Sequence, residues 1–188
     1  MRRIVYSVAM SLDGYIAGPN GEADWIVMDP DLGPAFEELY SRFDTMLIGR
    51  KTWQAMAGHG GGGGGGPFKD WSVLVFSRTL TTMPQKGVTL VSGDAKEEVT
   101  RLKQAPGKDI WLFGGGDLFR SLLDLGLVDA VGVGIIPVLL GGGTPLLAPP
   151  AGRATLRLTE HKVYPKTGTV SLEYAVEPPR ARKRSRVR

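Results

Sequence analysis

Short runs of apolar, often β-branched residues alternate through the first two thirds of the chain with stretches whose apolar positions recur every three or four residues. The first rhythm predicts strands buried on both faces, and the second predicts amphipathic helices laid against them. Residues 3–9 read as a first strand, broken at Asp13-Gly14 and followed by the turn signals of Gly18-Pro19-Asn20-Gly21. Phe36, Leu39, Tyr40 and Phe43 mark a helix that Asp31 is placed to cap. Residues 45–48 predict a second strand, which passes through Gly49 into a helix over 50–56. Residues 71–76 and 88–91 predict two more strands, and Asp94 caps a helix bearing Val99 and Leu102. A fifth strand over 110–113 stops at Gly114-Gly115-Gly116. The helix after it, 117–125, carries Leu118, Phe119, Leu122 and Leu123 on one face. A long apolar strand over 128–138 precedes residues 155–164 and 169–176, which Pro165-Lys166-Thr167-Gly168 joins into a hairpin.

Strands alternating with helices imply an α/β fold: a three-layer arrangement with a mostly parallel sheet, helices on both faces and a C-terminal antiparallel hairpin at one edge. No internal repeat or interdomain linker interrupts the pattern. We therefore expect a single domain over 1–178, carrying a flexible glycine loop at 58–67 that contains the seven glycines Gly60 to Gly66. Residues 179–188 read as a disordered basic tail.

Composition sharpens this picture mainly by exclusion. The 188 residues are 42% hydrophobic and 22% charged, values ordinary for a globular protein. No apolar run approaches the roughly 18–20 residues that cross a bilayer. The N-terminus enters strand pattern at once without a cleavage site, so no signal peptide is expected. The absence of cysteine removes disulfides, thiolate metal sites and cysteine nucleophiles. His59 and His161 lack ligand spacing, so no protein metal site is expected. The net charge of +4 belongs to the tail: Arg180, Arg182, Lys183, Arg184, Arg186 and Arg188 are six of the 23 bases, and the 17 others face 19 acids. The body therefore presents no reason to bind a polyanion. The tail has no interleaved aromatic residue for stacking on bases, and it reads as a solubilising extension.

Candidate chemistry gathers at the strand ends. In open α/β sheets, ligands lie beyond the carboxyl ends of the strands, where helix N-termini offer free N–H groups. Gly49-Arg50-Lys51-Thr52 supplies a bare turn, two cations and a hydroxyl, Ser77-Arg78 a hydroxyl and a guanidinium, and Gly114-Gly115-Gly116-Asp117 a backbone that a bulky anion can approach. Each alone is equally a helix start or a tight turn. Together they suit a dinucleotide, and the lack of an acid after Gly49 or Ser77 favours NADPH over NADH, because the extra phosphate calls for arginine and hydroxyls. Asp13-Gly14 reads as a turn or a site acid, and Asp31 as a helix cap or a substrate ligand. Trp25, Trp53, Trp71 and Trp111 read as core or pocket wall.

Residues 11–17 (Ser-Leu-Asp-Gly-Tyr-Ile-Ala), Asp24-Trp25-Ile26, Ile48-Gly49-Arg50-Lys51-Thr52-Trp53, Val75-Phe76-Ser77-Arg78 and Leu112-Phe113-Gly114-Gly115-Gly116 occur in the order seen in dihydrofolate reductases. The set resembles more closely still the reductase half of the bifunctional riboflavin-biosynthesis deaminase–reductase and its stand-alone relatives, whose late loop is similar to residues 137–143. The likeness spans about residues 2 to 176. It implies a bacterial, cytoplasmic oxidoreductase that pairs as a homodimer, through the terminal hairpin in such relatives, and uses NADPH. Gly49, Arg50, Lys51 and Thr52 would hold the pyrophosphate and 2′-phosphate, and Ser77 and Arg78 the adenosine ribose phosphate. Gly114, Gly115, Gly116 and Asp117 would lie along the pyrophosphate and nicotinamide ribose, with Ala9, Ile16 and Ala17 lining the nicotinamide site. Asp13 and Asp31 are the candidate catalytic acids, and Trp25 and Asp29 would contact substrate. The implied reaction is hydride transfer to a C=N or C=O bond of a small polar substrate, resembling a phosphoribosylamino-pyrimidine or a pterin. Two other readings stand beside it: an NADPH-binding module without catalysis, and a nucleic-acid binder acting through the tail.

Overall fold

The computed structural model describes residues 1–27, 33–58, 68–83 and 87–178. Eight strands form the main sheet. In chain order the elements are β1 (Ile4–Ser11), β2 (Tyr15–Ala17), α1 (Gly33–Ser41), β3 (Phe43–Gly49), α2 (Arg50–Gly58), β4 (Ser72–Phe76), β5 (Val88–Val91), α3 (Ala95–Gln104), β6 (Asp109–Gly114), α4 (Gly116–Asp124), β7 (Ala130–Ile136), β8 (Thr144–Pro145), β9 (Leu156–Tyr164) and β10 (Thr169–Val176). The sheet order is β5-β4-β3-β6-β1-β7-β10-β9, and β2 pairs with β8 in a separate two-stranded ribbon. Strands β5 through β7 run parallel, while β10 and β9 are antiparallel.

The alternation of side chains along each central strand feeds two cores, one on each face of the sheet. Ile4, Tyr6, Leu47, Leu74 and Leu112 pack beneath Val99 and Leu102 of α3 and Phe119 and Leu122 of α4. Val5, Met46, Ile48, Val73 and Trp111 pack with Trp53 of α2 and Leu39 and Tyr40 of α1. The three-layer expectation from the continuous apolar runs is met. Asp94 accepts from the Lys96 and Glu97 amides at 2.7 and 3.4 Å, the cap its sequence predicts.

Three boundaries differ from the sequence pattern. Phe43 follows the helical spacing, but α1 stops at Ser41 and Phe43 opens β3, opposite Asp109, with a side chain 1% exposed. The long strand expected over 128–138 is the shorter β7, because Val138 turns back to donate to Ile136 O at 2.8 Å. The ribbon of β2 and β8 has no counterpart in the sequence reading. Asp29, Asp31, His59, the run Gly60 to Gly66 and the basic tail lie outside the described residues.

At the amino end of the sheet, Lys103 is buried, donating to Leu127 O at 3.0 Å and to Asp129 Oδ2 at 2.6 Å. The same Asp129 oxygen accepts the Ile4 amide at 2.7 Å. Asp129→Ala leaves the buried ammonium with the Leu127 carbonyl but without its counter-charge and removes the acceptor of the Ile4 amide, and a melting experiment should register a loss of about 3 kcal/mol. An unchanged midpoint would mean that water reaches Lys103.

Candidate active site

The carboxyl ends of β4, β3, β6 and β1 stand side by side, so the tertiary structure brings the predicted strand-end residues to one rim of the sheet. Gly49 lies level with Phe76, and Ile48 with Gly114. Adjacent strands are spaced about 4.8 Å apart, so Ser77, Gly49 and Gly114 line a front about 10 Å long. The rim contains the switch point of the topology. From β1 the chain leaves through α1 to β3, whose helix packs on one core, whereas from β6 it leaves through α4 to β7, packed on the other. Such a point leaves a crevice between neighbouring strand ends.

Here the two strands also part. Their ladder ends at Tyr6 opposite Leu112, although β1 runs on to Ser11 and β6 to Gly114. Beyond the fork the Ser7 carbonyl accepts the Trp111 indole N–H at 2.9 Å. Across the fork, β1 keeps its full pairing with β7, from Val5 opposite Ala130 to Ser11 opposite Ile136. Ala9 sits half-buried on that stretch, opposite Gly134.

The glycine junctions are built for close approach. A Cβ on Gly49 would sit 3.6 Å from Gly114 O and Gly115 N, and one on Gly115 would sit 3.0 Å from Thr52 Oγ1. The end of β3 and the end of β6 therefore approach each other closely at their backbones, and the Thr52 side chain from the first turn of α2 sits against Gly115. Gly115 caps α4 without any side-chain hydrogen bond, which leaves that helix's first amides to another acceptor. Arg50 is half-buried and donates to Gln54 Oε1 at 2.9 Å, while Lys51 is exposed. Ser77 Oγ accepts the Thr79 and Leu80 amides at 3.2 and 3.0 Å, closing a turn that leaves Arg78 exposed. Asp117 is 75% exposed, with Arg120 at 3.8 Å.

The candidate substrate-side residues are arranged less simply. Trp25 is half-buried and pinned to its own loop, donating from Nε1 to Glu22 O at 3.2 Å. Ile16 and Ala17 belong to β2, whose partner β8 ends a segment, 137–146, that the sequence reading left without a contact. We call this segment the strap. Asp13 faces it: Oδ1 accepts the Ser11 hydroxyl at 2.6 Å and the Leu140 amide at 3.1 Å, and Oδ2 accepts the Gly141 amide at 2.7 Å. The Ser11 hydroxyl first, and then, against desolvation, the Gly141 and Leu140 amides hold the Asp13 carboxyl below the usual carboxylate range. A carboxylate saturated with donors in this way carries no proton at neutral pH, and its contacts are lost only as pH falls through the lowered value. Ser11, fully buried, was missed by sequence reasoning; its only signal was a small hydroxyl beside the Asp13-Gly14 turn.

Sheet order, crevice and terminal hairpin together define an α/β domain of the dihydrofolate-reductase-like class. Within that class the chain belongs to the RibD C-terminal domain family, whose model matches residues 2–170. It is 37% identical over 182 residues to the uncharacterized protein YyaP of Bacillus subtilis (strain 168), covering 92% of this chain and 94% of that one. Among solved structures it resembles a candidate riboflavin biosynthesis protein from Shewanella sp. PV-4, with 28% identity and a TM-score of 0.80 over 95% of this chain and all of that one. Dihydrofolate reductase from Enterococcus faecalis, complexed with NADP(H) and RAB-propyl, shares the fold at a TM-score of 0.68 and 17% identity, covering 94% of this chain and 97% of that one. So does the bifunctional deaminase/5-amino-6-(5-phosphoribosylamino)uracil reductase of Thermotoga maritima, again at 0.68 and 17%, over 93% of this chain and 56% of that one.

Proposed function

We propose that the protein is an NADPH-dependent reductase in which residues 1–178 form one catalytic domain. It reduces a C=N or C=O bond in a small polar substrate of pyrimidine or pterin type. The observation that carries this reading is the fork between β1 and β6, beside the close-packed glycine junctions at Gly49 and at Gly114-Gly115, the latter opening α4 without a side-chain cap. A dinucleotide needs such an arrangement: bare backbone N–H groups for its pyrophosphate, and an apolar slot between strands for its flat ring.

The residues fit the cofactor's chemistry. The α4 amides that follow Gly115, together with Gly49 and Thr52, would receive the pyrophosphate, since no side chain competes for those α4 amides. Arg50, Lys51, Ser77 and Arg78 would take the 2′-phosphate at the β3 and β4 ends. Ala9, Ile16 and Ala17 would line the nicotinamide slot, with Gly116 and Asp117 beside its ribose. When bound, NADPH supplies the hydride. The protein's part is to hold the acceptor carbon at near-contact distance and to keep water out of the slot. With Asp13 occupied as an acceptor, we assign the proton for the acceptor atom to solvent or to Asp31, with Trp25 and Asp29 on the substrate side.

Among the described residues, no helix is long and apolar enough to cross a membrane. Pairing as a cytoplasmic homodimer belongs to the same proposal. The test is a parallel titration with NADPH and NADH, followed by a screen of pyrimidine, pterin and carbonyl compounds for loss of reduced-nicotinamide absorbance. Preferential NADPH binding with turnover is the expected result. Binding without turnover on any compound would leave a cofactor-binding module, and indifference to both nucleotides would remove the reductase.

A further inference from the structure

The strap is zipped to the first loop of the chain at several points. Leu12 N donates to Val138 O at 2.9 Å and Leu146 N to Gly14 O at 2.9 Å, and β2 pairs with β8 between them. All of these are backbone contacts. Among the described residues, the side chain that hydrogen-bonds the strap's glycine-bearing bend is Asp13, through the Leu140 and Gly141 amides. Asp13 is itself aimed by Ser11, whose Oγ also accepts the Tyr15 amide at 2.9 Å. The far end of the strap reaches α4: a Cβ on Gly116 would meet Pro145 O at 2.8 Å, so the strap rests directly on the first turn of that helix. Tyr6 holds the same end, its hydroxyl donating to Leu146 O at 3.4 Å and its ring stacking on Phe119 of α4 at 3.9 Å.

We infer that Asp13 is a positioning residue: its carboxylate clasps the strap at Leu140 and Gly141, and the strap in turn seats the α4 turn and the β2 wall that receive the cofactor. This rests on the reductase reading for its purpose, though the clasp itself is a property of the chain. A proton donor and a clasp respond differently to the same substitutions. In Asp13→Asn one oxygen still accepts from Gly141 and the amide can face Ser11, so a clasp weakens by part. In Asp13→Ala all three contacts go. A proton donor is lost equally in both.

The experiment pairs amide hydrogen exchange on the cofactor-free chain with NADPH titration and steady-state kinetics. Hydrogen bonds to a charged acceptor contribute enough that Leu140 and Gly141 should exchange roughly tenfold to a hundredfold faster in Asp13→Ala. Asp13→Asn should fall between that variant and the unaltered protein. NADPH affinity should weaken in the same order, with the pH profile of kcat keeping its shape. Unchanged exchange at both amides overturns the clasp. Faster exchange with unchanged NADPH affinity overturns its role at the site. Equal loss of turnover in both variants, together with a vanished limb of the kcat profile, makes Asp13 the acid instead. If the unaltered protein binds no NADPH, the reductase reading and the positioning role fall together, and exchange still decides whether the clasp exists.

Discussion

Gly143→Ala should destabilise the protein more than any other single-methyl addition in the strap. Gly143 has φ +132°, outside the range of L side chains, and a Cβ there would stand 2.1 Å from Ala17 O and 2.9 Å from the Gly18 carbonyl carbon. Both obstacles are backbone, so no rotamer change relieves the contact. Strained φ and overpacking each cost about 1–3 kcal/mol, and the methyl group incurs both, so a loss of about 3 kcal/mol or local detachment of the strap is expected. Calorimetry reads the first outcome, and exchange at Thr144 and Leu146 reads the second. Gly141 provides the contrast: its φ is +70° and nothing lies within 4 Å of its added Cβ. An alanine there costs only about 1–2 kcal/mol for the left-handed backbone, and asparagine less. Equal effects at both positions would contradict the packing of Gly143 on β2. Because the strap rests on α4, Gly143→Ala should also weaken NADPH binding, whereas Gly141→Asn should leave the strap seated.

Removing the guanidinium of Arg78 should erase most of the preference for NADPH over NADH that we propose. Arg78 follows β4 and Arg50 follows β3, neighbouring strands in register from Thr45 opposite Ser72 to Gly49 opposite Phe76, so both side chains start from the same rim. No acid occupies the positions right after Gly49 or Ser77, so no carboxylate at those positions repels a phosphate. A charge-assisted hydrogen bond to a charged group contributes about 1.5–3 kcal/mol, which converts to roughly a tenfold to hundredfold change in affinity. Arg78→Ala should therefore raise the Kd for NADPH by that factor and leave the Kd for NADH nearly unchanged. Arg50→Ala should act in the same direction, with an added loss for both nucleotides because it also stands on the turn assigned to the pyrophosphate. The measurement is a pair of fluorescence titrations at fixed ionic strength, since phosphate contacts are screened by salt. A variant that lost both nucleotides equally would place Arg78 away from the 2′-phosphate.

The legibility of this protein differs between its sheet and its site. The core strands were readable because burial on both faces leaves an unbroken apolar run, as in Met46-Leu47-Ile48 and Ile110-Trp111-Leu112. Phe43 was misplaced because a three-residue interval after Tyr40 fits a helix as well as a chain reversal. Partnership with Asp109 in β6, 66 residues later, settled the matter. The strand-end glycines and cations could be named in advance, yet nothing local says which ends adjoin. Asp13 shows the same limit: a turn, an acid and a clasp share the dipeptide Asp-Gly, and only the arrival of Leu140 and Gly141 distinguishes them.

By itself the sequence determined the periodicities, and with them the number and kind of the main elements, the terminal hairpin and the cap at Asp94, because each depends on residues within a turn or two of one another. Tertiary structure decided the strand order, the fork between β1 and β6, the two-stranded ribbon and the use of Asp13. Those depend on pairings across up to 130 residues, where many partners satisfy local preference equally and the packing of both cores at once selects one.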